Sequence, residues 1–298
     1  MPAATQRSND IDRSTRRMAE LLVAPSWLLT LAVFAIPILG AFYLSFRNET
    51  LGAFVPGQFV GLQNYRTALA NARFWESIGT TCLLFAMGLF VQIPTGVGLA
   101  LLIEKNLRGT QIFRTALMVP MLLTPVAVGL IWRFMFDADL GIINWALGII
   151  GIHGPNWLGA RWPALTAVTI VDSWQSIPFI MLTILAALVG LSKGPAEAAA
   201  IDGANSFRIF FYITLPSLQN IIFVVVMIRI IDSLKMFDLI FIITSRGGPG
   251  TATQTLGMLI YNTGFGFFQI AQAAALGILM VILVTPVYWL WRRALREQ

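Results

Sequence analysis

Four charged residues recur every third position inside a stretch that is otherwise apolar. Arg229, Asp232, Lys235 and Asp238 alternate in sign within Leu215–Thr244. Each charge would cost about 2.5–3.5 kcal/mol at the centre of a membrane helix, so it should face protein or water. Neighbours in the series can neutralise each other and form a ladder that fixes helix packing. At about 100° per residue, however, Arg229 and Asp238 would face opposite sides of one helix, so one end could line a solute pathway.

A fifth charge, Asp172, stands alone in the preceding apolar stretch. A carboxylate removed from water needs a cationic partner, because an unpaired buried charge is strongly unfavourable. Arg229 or Lys235 on the next stretch could supply it. Such a pair would be structural.

Polar and aromatic residues follow Asp172 closely. Trp174, Gln175 and Phe179 combine ring surfaces with a hydrogen-bonding amide, the mixture needed to hold a hydroxyl-rich solute reversibly. Trp174 and Phe179 fit an apolar core equally well. Gln175 is the residue of this group that the core interpretation explains least.

The sequence offers little for catalysis. His153 is the only histidine, which excludes a paired-histidine zinc helix, and we expect no metal site. Gly190–Gly194 fits the nucleophile-elbow string, but it lies at a helix end instead of a strand-to-helix turn. Lys105, Lys193 and Lys235 lack the flanking residues of a phosphate-binding loop. We therefore expect no catalytic residue and no cofactor in this chain, and no transport powered by ATP without a partner.

The composition indicates a membrane protein. Hydrophobic residues make up 57% of the chain and charged residues 11%, and the mean hydropathy is +0.77. Apolar stretches long enough to cross about 30 Å of hydrocarbon are Leu21–Phe46, Ser77–Ile103, Thr115–Trp132, Trp162–Leu191, Leu215–Thr244 and Phe267–Trp291. The expected fold class is all-α, with six transmembrane helices.

Prolines and one short apolar segment add detail to this plan. Pro120 with Pro125 should kink the third span, and Pro178 the fourth. Ile142–Ile152 is too short to cross the membrane and should form an interfacial helix. The expected organisation is a cytoplasmic segment 1–20, a transmembrane domain 21–291 that includes a loop 192–216, and a cytoplasmic tail 292–298.

The basic residues are distributed unevenly between the two sides of these spans. One side carries Arg7, Arg13, Arg16, Arg17, Lys105, Arg108, Arg114, Lys193, Arg208, Arg292, Arg293 and Arg296, and the other Arg47, Arg66, Arg73, Arg161 and Arg246. Cytoplasmic segments are enriched in Lys and Arg, so both termini and the loop 192–216 should be cytoplasmic. This topology explains the net charge of +6 better than nucleic-acid binding does.

The loop between the fourth and fifth spans has the features of two short helices joined by a turn. Ser192 can cap the first helix, whose first turn holds Pro195 and Glu197. Gly203 supplies the break, and a second short helix follows around Phe207. The result would be a helix-turn-helix that projects from the membrane.

This loop resembles the coupling loop of permease subunits from binding-protein-dependent ABC importers. The resemblance is carried by Glu197–Arg208, with its Glu-Ala-Ala start and its Gly, and by the Leu-Pro end of Ile213–Pro216. It implies contacts with a separate ATPase subunit from Glu197, Ala198, Ala199, Asp202, Gly203, Leu215 and Pro216.

Further segments resemble carbohydrate importer permeases of the maltose and glycerol-phosphate type. They are Phe59–Tyr65, Arg114–Pro120, Trp132–Arg133, Gly141–Asn144 and Gly247–Pro249. The resemblance implies a heterodimer with a second, related permease and two ATPase subunits that bind ATP and Mg. It also implies an extracytoplasmic solute-binding protein, surrounding membrane lipid and a carbohydrate-like substrate, without nucleic acid.

In that family the solute contacts come from the fourth and fifth spans. The resemblance points to Gln175, Ser176, Phe179, Asp232, Ser233 and Met236, and the arguments from the residues add Asp172, Trp174 and Lys235. Maltose-type permeases tend to have neutral polar groups where this chain has Asp232 and Lys235. A polyol, an amino or acidic sugar and a glycoside therefore stay open as substrates.

Two other classes of function compete with the importer. An intramembrane enzyme acting on lipid or peptide would need a catalytic pair, which only Asp172 with Asp232 or Asp238 could form. An ion-coupled carrier would use the charges of the fifth span as a relay.

Overall fold

The computed structural model describes residues 3–52, 57–106 and 108–294, and these residues are almost entirely helical. The α-helices are α1 (Ala3–Ser45), α2 (Gln63–Ala70), α3 (Ala72–Glu104), α4 (Thr110–Leu122), α5 (Pro125–Met135), α6 (Ile142–Ile149), α7 (Arg161–Gly190), α8 (Gly194–Ile201), α9 (Ser206–Ile209), α10 (Leu215–Leu234), α11 (Asp238–Ile243), α12 (Leu256–Tyr261) and α13 (Ile270–Ala294). Two π-helical turns follow α9 and α12, at Phe210–Thr214 and Asn262–Gly266. The described residues contain no β-strand, only an isolated bridge between Arg47 and Phe59, and the predicted all-α class is confirmed.

Several predicted spans correspond to long apolar helices. Within the described residues, four helical segments are long and apolar enough to cross a membrane: Leu22–Ser45, Ala72–Glu104, Arg161–Gly190 and Ser206–Leu234. Helix α13 covers most of the predicted sixth span, although its described apolar part, Ile270–Pro286, is shorter. Helix α6 occupies most of the segment predicted to form an interfacial helix. The total of six spans stays a prediction.

The third predicted span is broken. Helices α4 and α5 meet at a bend of 98°, so the expected proline kink in Thr115–Trp132 is a complete interruption. Leu123 and Thr124 are both extended, with ψ of 143° and 138°. A residue before proline is driven out of the helical region, which explains Thr124, and Pro125 then starts α5 without needing its missing N–H.

The fifth predicted span is also interrupted, and the prediction of one helix over Leu215–Thr244 is wrong. Helix α10 ends at Leu234, Lys235–Phe237 break the path, and α11 resumes at Asp238. The Thr255 hydroxyl donates to the Met236 carbonyl at 3.0 Å, which satisfies a backbone group freed by the break. Non-helical backbone at membrane depth is tolerated where such partners exist.

The chain forms two compact units. The first comprises residues 1–68 and 263–282. In it the Asn64 amide donates to the carbonyls of Ser45 and Arg47, at 2.8 and 2.7 Å, and the Ser45 and Tyr65 hydroxyls lie 2.6 Å apart. These bonds satisfy the carbonyl groups left over where α1 ends.

The second unit comprises residues 69–262 and 283–298 and holds two apolar clusters. One includes Leu84, Val171 and Ile240, and the other includes Ile180 and Val225. Helices α3 and α7 pack closely along their length. A Cβ atom at Gly96 would lie 2.5 Å from Ile180 Cγ2, so glycine is needed for this close approach.

A hydrogen-bonded loop connects α5 to α6 in the second unit. The Asp137 carboxylate accepts the backbone N–H groups of Leu140 and Asp139, and these bonds lower the pKa of Asp137. Asn144 receives the Trp157 indole N–H at 2.8 Å and donates to the Pro155 carbonyl. Side-chain hydrogen bonds therefore hold the segments before and after α6, and the Trp157 ring also packs against Phe136.

A substitution at Thr81 tests the contact between α3 and α12. Its hydroxyl donates to the Ser77 carbonyl and accepts the buried N–H of Leu256, at 2.7 and 3.0 Å. Thr81→Val leaves this N–H without an acceptor, so we expect a loss of about 1–3 kcal/mol in stability, measured as a lower melting temperature in detergent. The control is Thr166→Val, which removes only a bond to the carbonyl four residues earlier. Equal melting temperatures for the two variants would contradict this role.

Candidate solute site

A charged pair buried between three helices lies at the centre of the second unit. Arg229 Nη2 on α10 lies 2.6 Å from Asp172 Oδ2 on α7. Gln92 on α3 joins both residues, because its amide donates to Asp172 Oδ2 at 2.7 Å and its carbonyl accepts from Arg229 Nε at 3.0 Å. All three are buried. The predicted cationic partner of Asp172 is therefore Arg229 and not Lys235.

Gln92 is the functional residue that the sequence argument missed. A Cβ atom at Gly88 would lie 3.0 Å from Gln92 Nε2 and 3.5 Å from Asp172 Oδ2, so glycine one turn earlier makes room for the amide. The same rule that required a partner for Asp172 applies to an uncharged amide in an apolar span. That rule could have identified Gln92.

The rest of the charge series runs from this buried pair towards solvent. Asp232 Oδ2 lies 3.7 Å from Arg229 Nη1, and Asp232 Oδ1 lies 3.6 Å from Lys235 Nζ. The Asp232 side chain is 42% exposed and that of Lys235 is 65% exposed. Ion pairs with this exposure contribute about 0–1 kcal/mol, so Asp232 and Lys235 can exchange partners at little cost.

A cavity of about 190 Å³ opens beside these charges. Its lining includes six of the predicted pathway residues: Asp172, Gln175, Ser176, Asp232, Lys235 and Met236. The remaining lining residues are Pro125, Arg229, Phe237, Asp238 and Leu239. The cavity thus lies next to both helix breaks, the one before Pro125 and the one before Asp238.

The other three predicted pathway residues lie outside the cavity lining. Trp174 packs edge-on against Trp132, with ring centroids 5.6 Å apart. Phe179 packs against the apolar cluster that contains Ile180. Ser233 is buried, and its hydroxyl donates to the Ile230 carbonyl at 2.9 Å.

The break between α10 and α11 also corrects the helix-periodicity argument. On one continuous helix Arg229 and Asp238 would point to opposite sides, yet both line the same cavity. The interruption at Lys235–Phe237 resets the direction of the side chains that follow it. The predicted pathway does not include Asp238, which the structure adds to the cavity lining.

Gln175 has a structural partner in addition to its place in the cavity. Its Nε2 donates to the Leu123 carbonyl at 2.9 Å, at the point where α4 ends. The side chain therefore satisfies a backbone group released by the break between α4 and α5. A substitution at Gln175 would disturb this break as well as the cavity surface.

The loop 192–216, whose cytoplasmic location stays a prediction, forms the expected helix-turn-helix. Helix α8 ends at Ile201, and Gly203 follows with φ of +84°, a left-handed conformation that favours glycine. The Asn205 side chain then caps α9 by accepting the Arg208 N–H at 2.9 Å. The predicted cap by Ser192 is wrong, since α8 starts after Lys193 without a side-chain capping bond.

The predicted coupling residues lie on the surface of this loop. Glu197, Ala198, Asp202, Gly203 and Pro216 are exposed, and Ala199 and Leu215 are half-buried. Ile201 and Tyr212 are large apolar side chains of this loop and are 86% and 80% exposed. The loop therefore presents exposed apolar side chains together with two carboxylates, Glu197 in the first turn of α8 and Asp202 directly after its end.

Comparison with known families decides the class of protein. Residues 92–296 match the family described as binding-protein-dependent transport system inner membrane component. The chain belongs to this family. It is therefore a multi-pass membrane permease subunit of an ABC transporter and not an enzyme, and ATP hydrolysis takes place in separate subunits.

Several characterised or named permeases are similar over most of their length. A probable ABC transporter permease protein, y4oQ of Sinorhizobium fredii, is 36% identical over 89% of this chain and 87% of its own. The trehalose/maltose transport system permease protein MalF of Thermococcus litoralis is 32% identical over 91% of this chain and 92% of its own. The sulfoquinovosyl glycerol transport system permease protein SmoG of Agrobacterium fabrum is 33% identical over 93% of this chain and 91% of its own.

Solved structures support the same fold. A chain of a bacterial alginate ABC transporter, crystallised in complex with an alginate pentasaccharide-bound periplasmic protein, superposes with a TM-score of 0.81. It is 21% identical, and the match covers 97% of this chain and 96% of that one. A chain of the MetNI methionine ABC transporter covers 79% of this chain with a TM-score of 0.54.

Substitutions in the buried ion pair test how much the pair contributes to the stability of the fold. Asp172→Asn removes the closer counter-charge of the buried Arg229 guanidinium and leaves only the partly exposed Asp232 carboxylate at 3.7 Å. We expect a loss of about 3–5 kcal/mol and a reduced yield of folded protein. The double variant Asp172→Asn/Arg229→Gln removes both charges and should recover part of that loss. Folded protein after a temperature series, measured by size-exclusion chromatography, gives the comparison.

Asp232→Asn is the matched control for this experiment. It removes a carboxylate from the same charge series at a site that is 42% exposed, so the expected change is below about 1 kcal/mol. If Asp172→Asn were as stable as Asp232→Asn, the buried pair would not hold the three helices together.

Proposed function

We propose that this permease subunit imports a sugar, a polyol or a sugar derivative through the cavity beside Asp172 and Arg229. The observation that carries the proposal is the cavity itself. It combines hydrogen-bonding and charged groups with apolar walls beside the break between α4 and α5 and the break between α10 and α11. Weak and exchangeable polar contacts suit a solute that must leave as easily as it enters. The named relatives that transport trehalose, maltose or sulfoquinovosyl glycerol support the carbohydrate class.

The proposal includes the assembly and its orientation. We propose a heterodimer with a second, related permease, two ATPase subunits that bind ATP and Mg, and an extracytoplasmic binding protein. Residues 1–20, the loop 192–216 and the tail 292–298 would be cytoplasmic, as the Lys and Arg distribution indicates. Residues 295–298, including Arg296, lie outside the described part of the chain, as do the side chains of Arg292 and Arg293.

Lipid and the second permease are the proposed neighbours of α1. Large apolar side chains are exposed along its length between Leu22 and Tyr43, among them Trp27, Ile36 and Phe42. An apolar surface of this length is expected to contact hydrocarbon or another membrane helix.

We propose that α8 and the turn after it dock into the ATPase. Glu197 and Asp202 would pair with basic groups there, and the exposed Ile201 and Tyr212 side chains would enter apolar contacts. Ala198, Ala199, Gly203, Leu215 and Pro216 would fix the shape of the docking surface.

Gly203 allows the docking to be tested. A Cβ at this position meets no atom within 4 Å, so a substitution is strained only through the positive φ. We expect Gly203→Val to reduce solute-stimulated ATP hydrolysis and uptake together by tenfold or more, on the order of 1.4 kcal/mol. Gly203→Asn should keep most activity, because Asn tolerates the left-handed region.

Gly151→Val is the matched control. Gly151 also has a positive φ, of 77°, and open space around its Cβ position, but it follows α6 on the side predicted to be extracytoplasmic. Equal losses of coupling at the two glycines would show that backbone strain, and not docking, causes the effect.

Lys235 tests the solute site without disturbing the fold. Its side chain is 65% exposed, so Lys235→Gln should leave the amount of assembled complex unchanged. Losing a charged hydrogen-bond donor to the solute is expected to raise the KM for uptake about tenfold or more. Lys105→Gln at the end of α3 serves as the control. An unchanged KM in Lys235→Gln would remove this residue from the proposed pathway.

A further inference from the structure

The cavity lining contains more carboxylates than cations. Asp172, Asp232 and Asp238 contribute three negative charges, and Arg229 and Lys235 contribute two positive charges, which gives a formal charge of −1. Asp172 is paired with Arg229, and Asp232 lies within 4 Å of both cations. The excess negative charge therefore belongs to Asp238.

Asp238 is available to a solute. It is exposed, and its carboxylate makes no ion pair or side-chain hydrogen bond with any residue in the described ranges. Asp238 is also the first residue of α11, where the positive end of the helix dipole stabilises a carboxylate. That end carries at most about half a charge, and α11 has only six residues, so the carboxylate is not neutralised.

We propose that the cavity excludes acidic sugars and ranks amine-bearing solutes above neutral ones, with Asp238 as the residue that sets this order. The inference rests on the proposed function, because it concerns the solute that uses the same cavity. Among the substrate classes left open by the sequence, it selects an amino sugar or a neutral polyol or glycoside and rejects a carboxylated or sulfonated one.

The physical reason is that apolar side chains share the cavity lining with the charges. Phe237 and Leu239 lie next to Asp238 in the lining, so an uncompensated carboxylate there is screened less than it would be in bulk water. A solute anion would enter a cavity of net negative charge, in which Arg229 and Lys235 each already lie within 4 Å of a carboxylate. A solute ammonium group would compensate this negative charge.

A pair of thiol reagents of opposite charge measures this field without knowledge of the natural solute. A single thiol is introduced in the cavity by Met236→Cys on a Cys82→Ala background, and the full permease–ATPase complex is used. The probes are a trimethylammonium and a sulfonate methanethiosulfonate reagent. We expect Asp238→Asn to lower the cation-to-anion ratio of modification rates about tenfold.

Two further variants control the measurement. Asp139→Asn also removes one carboxylate, but from an exposed loop outside the cavity, and it should leave the ratio unchanged. Ser176→Cys provides a second thiol position in the lining if Met236→Cys does not assemble. An unchanged ratio in Asp238→Asn, or a thiol in the lining that neither reagent reaches, would overturn the proposal.

Uptake measurements separate this inference from the proposed function. Competition by trehalose and by its 6-amino and 6-carboxylate derivatives is compared between wild type and Asp238→Asn with the same binding protein, so that the selectivity of the binding protein cancels. A gain of competition by the 6-carboxylate derivative in the variant supports the inference. If sugar uptake proceeds and the three competitors rank identically in both proteins, the inference alone is overturned. If the complex imports no sugar, the proposed function is overturned and the thiol result is unaffected.

Discussion

The ion pair between Asp172 and Arg229 is the interaction on which the second unit depends. Both charges lie where water is scarce, and each would be strongly unfavourable without the other. Gln92 adds one hydrogen bond to each partner, so the three side chains fix α3, α7 and α10 against one another. Apolar side chains alone give little direction to packing inside a membrane, because lipid tails are equally apolar. The polar contacts supply that direction.

Two interrupted helices extend this arrangement into a site for a solute. Each break releases backbone groups, and side chains from other helices satisfy them: Gln175 bonds the Leu123 carbonyl and Thr255 bonds the Met236 carbonyl. Because these carbonyl groups have partners within the chain, polar backbone and charged side chains can line a cavity at membrane depth. Along the charge series, the exposure of the side chains increases from the buried Arg229 to the exposed Lys235. The structure thus separates charges that hold the helices from charges that are accessible to a solute.

The sequence predicted the apolar spans and the need for a partner to Asp172, since both follow from the cost of placing polar groups in hydrocarbon. It did not predict where helices stop. Hydropathy averages over about 19 residues, so it passed through the breaks at Leu123 and at Met236. Helix periodicity then separated Arg229 from Asp238, although both line one cavity. The capping of the loop helices depended on backbone geometry: α8 begins without the predicted cap from Ser192, whereas the Asn205 side chain caps α9.

The most direct test of the account is a structure of the assembled transporter, with its partner permease and ATPase subunits, determined by electron cryo-microscopy with an imported sugar bound in the membrane domain. The account predicts density for the sugar within hydrogen-bonding distance of Asp232 or Lys235, with the pair of Asp172 and Arg229 intact behind it. Sugar bound between other helices, or a direct contact of the sugar with Arg229 that separates it from Asp172, would contradict the division between structural and solute-facing charges.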